Sequence, residues 1–295
     1  MGLKPITQEQ REKLSGRLVV ASVSGGKDSA ALSLWLTENG IEHRRVFANT
    51  GWEHELTYEY LRGPLSEALG IIHEVRGERT MDELVTHKGA FPSRVMRFCT
   101  TELKIKPLAA FVKSFGDDVV NVVGIRAAES AARAKMPEWE YSDAFDCDVW
   151  RPIIRWTEQD VIDIHKRHGL APNPLYLRGA ERVGCWPCIN SRKDEIRRVA
   201  DTDPARIERI RRLEMVVGDA AEARAIRNNT TLEEKGHHRP TFFHGRGATM
   251  DMIPIDQVVR WSRTNRNGST RSEELFHDFN DGCARWGMCE QAAKR

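Results

Sequence analysis

Residues 17–23 form a short run of β-branched and apolar side chains, and Ser24-Gly25-Gly26-Lys27-Asp28-Ser29 follows at once. An apolar helical pattern then runs to Gly40. Strand, glycine loop and helix are the elements this spacing predicts. Further strands are predicted at residues 45–48, 70–75 and 119–123, alternating with helices at 55–69 and 101–114. Another helix begins at Thr157, with Thr157 at the N-cap and Asp160 three positions on, and extends to about His168. Strands that alternate with helices predict an α/β fold with a mostly parallel sheet and helices on both faces. Beyond Cys188 the pattern changes. Residues 191–227 are helical and laced with charge, and the chain then becomes irregular and polar. The expected organisation is an α/β domain over residues 1–190 and a helical and irregular C-terminal region over 191–295.

With 295 residues, 40% hydrophobic, 30% charged and a net charge of +2, the composition is that of a globular chain and excludes disordered and fibrous classes. Its longest apolar runs, such as Leu18-Val19-Val20-Ala21, fall far short of the roughly 20 residues that span a bilayer. The first residues show no apolar core of an export signal, so the expected location is the cytoplasm, with no membrane partner. There, reducing conditions disfavour disulfides. The six cysteines, Cys99, Cys147, Cys185, Cys188, Cys283 and Cys289, therefore suggest metal binding or thiol chemistry.

Two glycines after a strand let the backbone approach an anion closely, and the following helix offers its positive end. Ser24, Gly25, Gly26, Lys27, Asp28 and Ser29 are thus the candidate nucleotide contacts. The spacing is neither that of a Walker A loop nor that of a Rossmann fingerprint. Cys185-Trp186-Pro187-Cys188 is compatible with half a zinc site, a redox pair or part of an iron–sulfur site.

The glycine loop resembles the PP-loop of the adenine nucleotide α-hydrolases, the superfamily of ATP pyrophosphatases. Other motifs resemble its phosphoadenosine phosphosulfate (PAPS) reductase-like branch: Asn49-Thr50-Gly51, where that branch usually has Asp-Thr-Gly, Gly124-Ile125-Arg126 with Glu129-Ser130, and Trp156 to Val161. Asn173-Pro174-Leu175-Tyr176 and the segment Arg182 to Cys188 resemble its C-terminal cysteine region. The resemblance implies that ATP with Mg2+ is cleaved between its α and β phosphates to adenylylate a substrate. Lys27 would clamp the departing charge. Asp28 would orient the metal or cap the helix, Thr50, Gly51 and Gly124 would border the nucleotide, and Arg126 would contact a phosphate or pair with Glu129. Lys27, Asp28 and Arg126 are the candidate catalytic residues.

The same resemblance implies a [4Fe-4S] cluster, with Cys99 at the position where iron–sulfur members carry a cysteine before a lysine-bearing helix. Four thiolates are needed. The expected set is Cys99, Cys185, Cys188 and Cys289, with Cys283 the next choice for the fourth ligand. Cys147 is the poorest candidate, because Asp146 and Asp148 flank it and raise a thiol pKa. Zinc is the alternative metal, although His237, His238 and His244 lack the spacing of a zinc site.

An intact ATP loop beside such a cluster resembles enzymes that adenylylate an oxygen and replace it with sulfur. The implied function is iron–sulfur-dependent sulfur transfer, with nucleic acid as a candidate acceptor and a sulfur donor protein as a candidate partner. Arg260, Arg263 and Arg266 with Trp261 form a basic and aromatic patch suited to nucleic acid, or simply a solvated segment. The alternatives are a sulfonucleotide reductase that releases sulfite, and a non-catalytic module that binds nucleotide and cluster.

Overall fold

The computed structural model describes residues 5–245, 252–264 and 286. Six strands form one sheet: β1 (Leu18–Ser22), β2 (Arg44–Asn49), β3 (Ile72–Arg76), β4 (Val119–Val123), β5 (Trp139–Ser142) and β6 (Cys147–Trp150). Their order is β3-β2-β1-β4-β6-β5, parallel throughout except for the antiparallel edge strand β5. The order reverses between β1 and β4, so their carboxyl ends open a crevice, the place where ligands sit in open α/β sheets.

Helices cover both faces. On one, the helix Lys27–Glu38 packs with Glu158–Arg167, and Trp35 meets the rings of Trp150 and Trp156 edge-on. Residues 29–36 are all buried, which is why their apolar character surrounds the helix instead of following one stripe. The capping box read from the sequence is present: Thr157 N donates to Asp160 Oδ2 at 2.8 Å and Asp160 N to Thr157 Oγ1 at 3.1 Å. On the other face Val112, from the helix Lys106–Lys113, closes a cluster with Val20, Val46, Val119 and Cys147.

Several boundaries differ from the sequence pattern. The helix expected over 55–69 is two, Glu55–Arg62 and Pro64–Leu69, broken at Gly63 because proline disfavours a helical residue before it. For the same reason residues 191–227 divide at Asp203 into Lys193–Thr202 and Pro204–Arg227. The helix expected over 101–114 starts earlier, at Phe98, and contains a π-helical turn at Thr101–Ile105. Helix Met81–Lys88 and the β5–β6 hairpin were not expected, and the irregular stretch after Asn228 includes β7 (Phe243–His244), β8 (Met252–Ile253) and the helix Ile255–Ser262.

The chain beyond residue 190 shares a core with the chain before it. Trp52, Phe91 and Leu103 pack with Ile196, Ile210, Phe242 and Ile255. Helix Pro204–Arg227 lies against Met81–Lys88, where Arg209 holds Asp82 through two hydrogen bonds of 2.8 and 2.9 Å. No described helix is long and apolar enough to cross a membrane.

Candidate functional site

The glycine loop sits at the carboxyl end of β1, beside the reversal of strand order. Gly25 has φ 73°, and a side chain there would meet Thr57 Cγ2 at 2.8 Å. Glycine is needed on both counts. Ser29 ties the loop to its helix: it accepts from Ser24 N at 3.0 Å and donates to Gly26 O at 3.0 Å. Gly124, at the end of β4, admits the loop, since an added Cβ would lie 2.8 Å from both Asp28 O and Ser29 Cα.

A distant segment roofs this loop. Tyr176 Oη accepts from Lys27 N at 3.1 Å, and Asn173 Nδ2 donates to Gly25 O at 3.2 Å. The Lys27 side chain is 7% exposed; its ammonium donates to Glu181 O at 3.1 Å, lies 3.5 Å from Glu158 Oε1 and stands 4.8 Å over the Tyr176 ring. Burial raises the Tyr176 pKa, so the ring keeps its phenolic proton. Trp286 seats against Tyr176 and His165, with ring centroids 6.1 and 5.3 Å away.

Arg126 forms a buried ion pair with Asp28, and its own N–H donates to Glu129 Oε2 at 2.7 Å. The guanidinium therefore turns to the glycine loop and not to Glu129, which pairs instead with Arg133. Capping is not the role of Asp28, because the N-cap of that helix is Gly26. An octahedral Mg2+ bound to a nucleotide needs only one or two protein carboxylates. Asp28 would be the carboxylate to offer in such a site, with its Oδ1 already accepting from Arg126 Nε.

Thr50 and Gly51 follow β2 on the neighbouring rim. Glu53, 3% exposed, accepts from Thr50 Oγ1 at 2.7 Å, Thr50 N at 3.2 Å and Tyr58 Oη at 2.7 Å. Sequence reasoning missed Glu53, since a single acid in an unassigned loop carries no spacing signal.

From Glu53 the wall continues into the cysteine segment. Glu53 and Cys185 form an antiparallel bridge, Trp186 N donates to Trp52 O at 2.8 Å and Trp52 Nε1 to Pro187 O at 2.9 Å. Cys99, Cys185 and Cys188 are electrostatic neighbours, and Lys104, carried by the π-helical turn, hydrogen-bonds Cys185. Burial pushes the Cys185 thiol up to about 11 and also raises Cys99, while Lys104 draws Cys185 down. A bound metal would reverse this balance and hold the sulfurs as thiolates. Asn190 N donates to Cys188 Sγ at 3.5 Å, the kind of bond that supports a ligating sulfur.

The donor chemistry therefore suits a soft metal or an iron–sulfur centre. Among the described residues, however, no three His, Cys, Asp or Glu side chains form a closed metal-binding group. Cys283 and Cys289 lie outside the described residues. Cys147 is apart, buried under the sheet near Asn121. His244 is half-buried, and desolvation lowers its pKa.

In the basic patch, Trp261 is half exposed, with Lys193 Nζ 4.9 Å above its ring. Arg263 is paired with Asp201 at 2.9 Å, and Arg266 lies outside the described residues.

A family model described as the phosphoadenosine phosphosulfate reductase domain matches residues 18–191. A 37.8 kDa protein of Escherichia phage 186 is 35% identical over 304 residues, covering 85% of this chain and 89% of its own length. The adenosine 5'-phosphosulfate reductase of Mycolicibacterium smegmatis is 33% identical over 129 residues, 42% of this chain and 52% of that enzyme. The chain thus spans about half the length of that reductase. Among solved structures, the PAPS reductase of Candida auris aligns with 63% of this chain and 98% of its own, at 15% identity and a TM-score of 0.47.

Proposed function

The chain belongs to the phosphoadenosine phosphosulfate reductase domain family, and from that premise we propose that it is an ATP pyrophosphatase that adenylylates an acceptor for sulfur transfer. The observation that carries this reading is the complete Ser24–Ser29 loop, seated at the reversal of strand order with Lys27 and the Asp28–Arg126 pair around it. Loop N–H groups and the helix N-terminus would bind the β and γ phosphates of ATP. An acceptor oxygen attacks the α phosphorus, the α–β bond breaks, and pyrophosphate leaves. Lys27, withdrawn from Glu181 and Glu158 onto the phosphates, would neutralise the departing charge; Asp28 would hold a Mg2+ ion, which supplies further charge neutralisation when bound. A sulfur nucleophile then displaces AMP, which carries away the acceptor oxygen.

Cys99, Cys185 and Cys188, with Cys289 as fourth ligand, would hold a [4Fe-4S] centre, and zinc would be the alternative occupant. When bound, the centre supplies sulfide delivered by a donor protein. Lys104 and Arg182 place positive charge beside these sulfurs, and Glu53 connects them to the nucleotide rim.

The test is anaerobic product analysis with ATP and Mg2+, with DNA or tRNA in parallel. AMP and pyrophosphate should rise with the acceptor, and Lys27→Ala should lower turnover at least tenfold, about 1.4 kcal/mol of transition-state stabilisation. Absence of AMP with every acceptor would reject the reading. A second reading, a sulfonucleotide reductase, is favoured by the likeness to the M. smegmatis enzyme. It requires sulfite from PAPS or adenosine 5'-phosphosulfate with a thiol donor, with ATP left intact.

A further inference from the structure

Immediately before Cys99 the chain makes a turn that displays apolar side chains. Ser93, itself buried, donates its N–H to Met96 O at 3.0 Å, and its Oγ accepts from Val95 N at 3.3 Å and Met96 N at 3.0 Å. These three bonds, with Phe91 anchored in the core behind them, hold Val95 83% and Met96 58% exposed. Arg94 and Arg97 flank the two side chains and are exposed as well. Nearby cations Arg79 and Lys106 are paired, with Glu78 and Glu102. Arg94, Arg97 and Lys88 form no ion pair among the described residues, and Lys88 instead lies 5.2 Å over the Phe98 ring.

A second exposed element follows Cys188. Trp261, on the helix Ile255–Ser262, is 49% exposed, and Lys193, five residues past Cys188, donates to Thr264 Oγ1 at 2.7 Å beside the indole. The turn before Cys99 thus presents cations without ion-pair partners beside apolar side chains, and the element after Cys188 presents a half-exposed indole with the Lys193 ammonium held over its ring. An acidic protein would match the charge but would leave the half-exposed indole without a specific role. A single-stranded nucleic acid matches both: phosphates meet the cations, and unpaired bases stack on Trp261 and lie against Val95 and Met96.

We infer that the Arg94–Arg97 turn and the Trp261–Lys193 pair form a docking surface for single-stranded nucleic acid, flanking Cys99 and Cys188. This names the acceptor class for the sulfur transfer proposed above and rests on that reading for its purpose, but binding is measured without catalysis. The full-length protein is titrated into fluorescently labelled single-stranded DNA, single-stranded RNA and duplex DNA, and anisotropy is followed from low salt to above physiological salt. A single strand should bind more tightly than the duplex. Replacing Arg94 and Arg97 together by Ala should flatten the slope of log K against log salt by about 1.4, from about 0.7 per phosphate contact. Trp261→Ala and Val95→Ser, which leave the charge unchanged, should each weaken binding about tenfold with the slope retained, and all these positions are exposed enough for the fold to persist, which thermal melting verifies. Absence of binding at low salt, a preference for duplex, or unchanged affinity and slope in the variants would overturn the inference. Lys27→Ala serves as the separating control: it should bind the strand normally even where ATP cleavage is lost, so failure of the chemistry and failure of the surface give different results.

Discussion

The Asp28–Arg126 pair offers the sharpest test of how the crevice at the glycine loop is built. The two side chains are 14% and 7% exposed, so neither charge is well solvated, and each depends on the other. Removing one partner from a buried pair costs about 3–5 kcal/mol, because the remaining charge stays buried without compensation. Asp28→Asn keeps one acceptor oxygen for the guanidinium, so its cost should fall near the lower figure, about 3 kcal/mol. Arg126→Met fills similar space but leaves the carboxylate alone, and a similar loss is expected. The double variant removes both charges, so its cost should resemble that of one single change, not their sum. The coupling energy is then about 2–3 kcal/mol, well above the few tenths that independent sites show. Urea unfolding of the four proteins, followed by circular dichroism, supplies the cycle. Additive losses within about 0.5 kcal/mol would refute the reasoning and mean that Arg126 reaches toward the phosphate site without an anchor on Asp28.

Three further outcomes follow from the same structure. His43 and His165 are 6% and 1% exposed, and burial pushes both down to about 4 from their ordinary value of 6.5. The unfolded chain therefore takes up protons near pH 6.5 that the folded chain refuses until about pH 4, so stability is full above 6.5 and falls through that window, by roughly 3 kcal/mol per histidine at most; equal urea midpoints at pH 7 and pH 5 would contradict this. Gly124→Ala should destabilise by about 1–3 kcal/mol and weaken nucleotide binding, because the added carbon meets backbone, whereas Gly184→Ala, with nothing within 4 Å, should be near neutral in urea melts and nucleotide titrations. Cys185→Ser and Cys188→Ser should each remove the brown absorbance and iron of anaerobically purified protein, while Cys147→Ser should keep both; full iron in the first two variants would dismiss the ligand assignment.

What could be read from the sequence was local. The loop from Ser24 to Ser29 is contiguous, its glycines answer to a positive φ and a close approach, and the strand before it and the helix after it are nearly continuous apolar runs. The sequence leaves Arg126 between a phosphate and Glu129, because only near neighbours are visible in it, whereas the partner Asp28 lies 98 residues away. The β5–β6 hairpin escaped because its strands are short and its turn depends on Asp146 in the left-handed region, φ 57°, a conformation open to Asp but not announced by it. Lys104 escaped for a different reason. A π-helical turn breaks the 3.6-residue period, so no face drawn on an ideal helix would direct that lysine to Cys185.

The long-range contacts missing from the sequence are also those that join the two chemistries. Between Asn173 and Cys188 one short segment grips both places: Asn173, Tyr176 and Glu181 hold the glycine loop, and Cys185 and Pro187 hold Trp52 and Glu53 on the neighbouring rim. Lys27 is bonded to this segment at three points, its N–H, its ammonium and the face of the Tyr176 ring. When phosphates draw the ammonium away from Glu181, the bond lost belongs to the same stretch of chain that positions Cys185 and Cys188. If the loop takes up phosphates, its occupancy and the setting of the thiols would be linked through these few residues of backbone. A nucleotide-dependent change in the reactivity of Cys188 toward a thiol reagent, abolished by Lys27→Ala, is the expected sign of that link. Equal labelling rates with and without ATP would show that the segment holds the two sites side by side without coupling them.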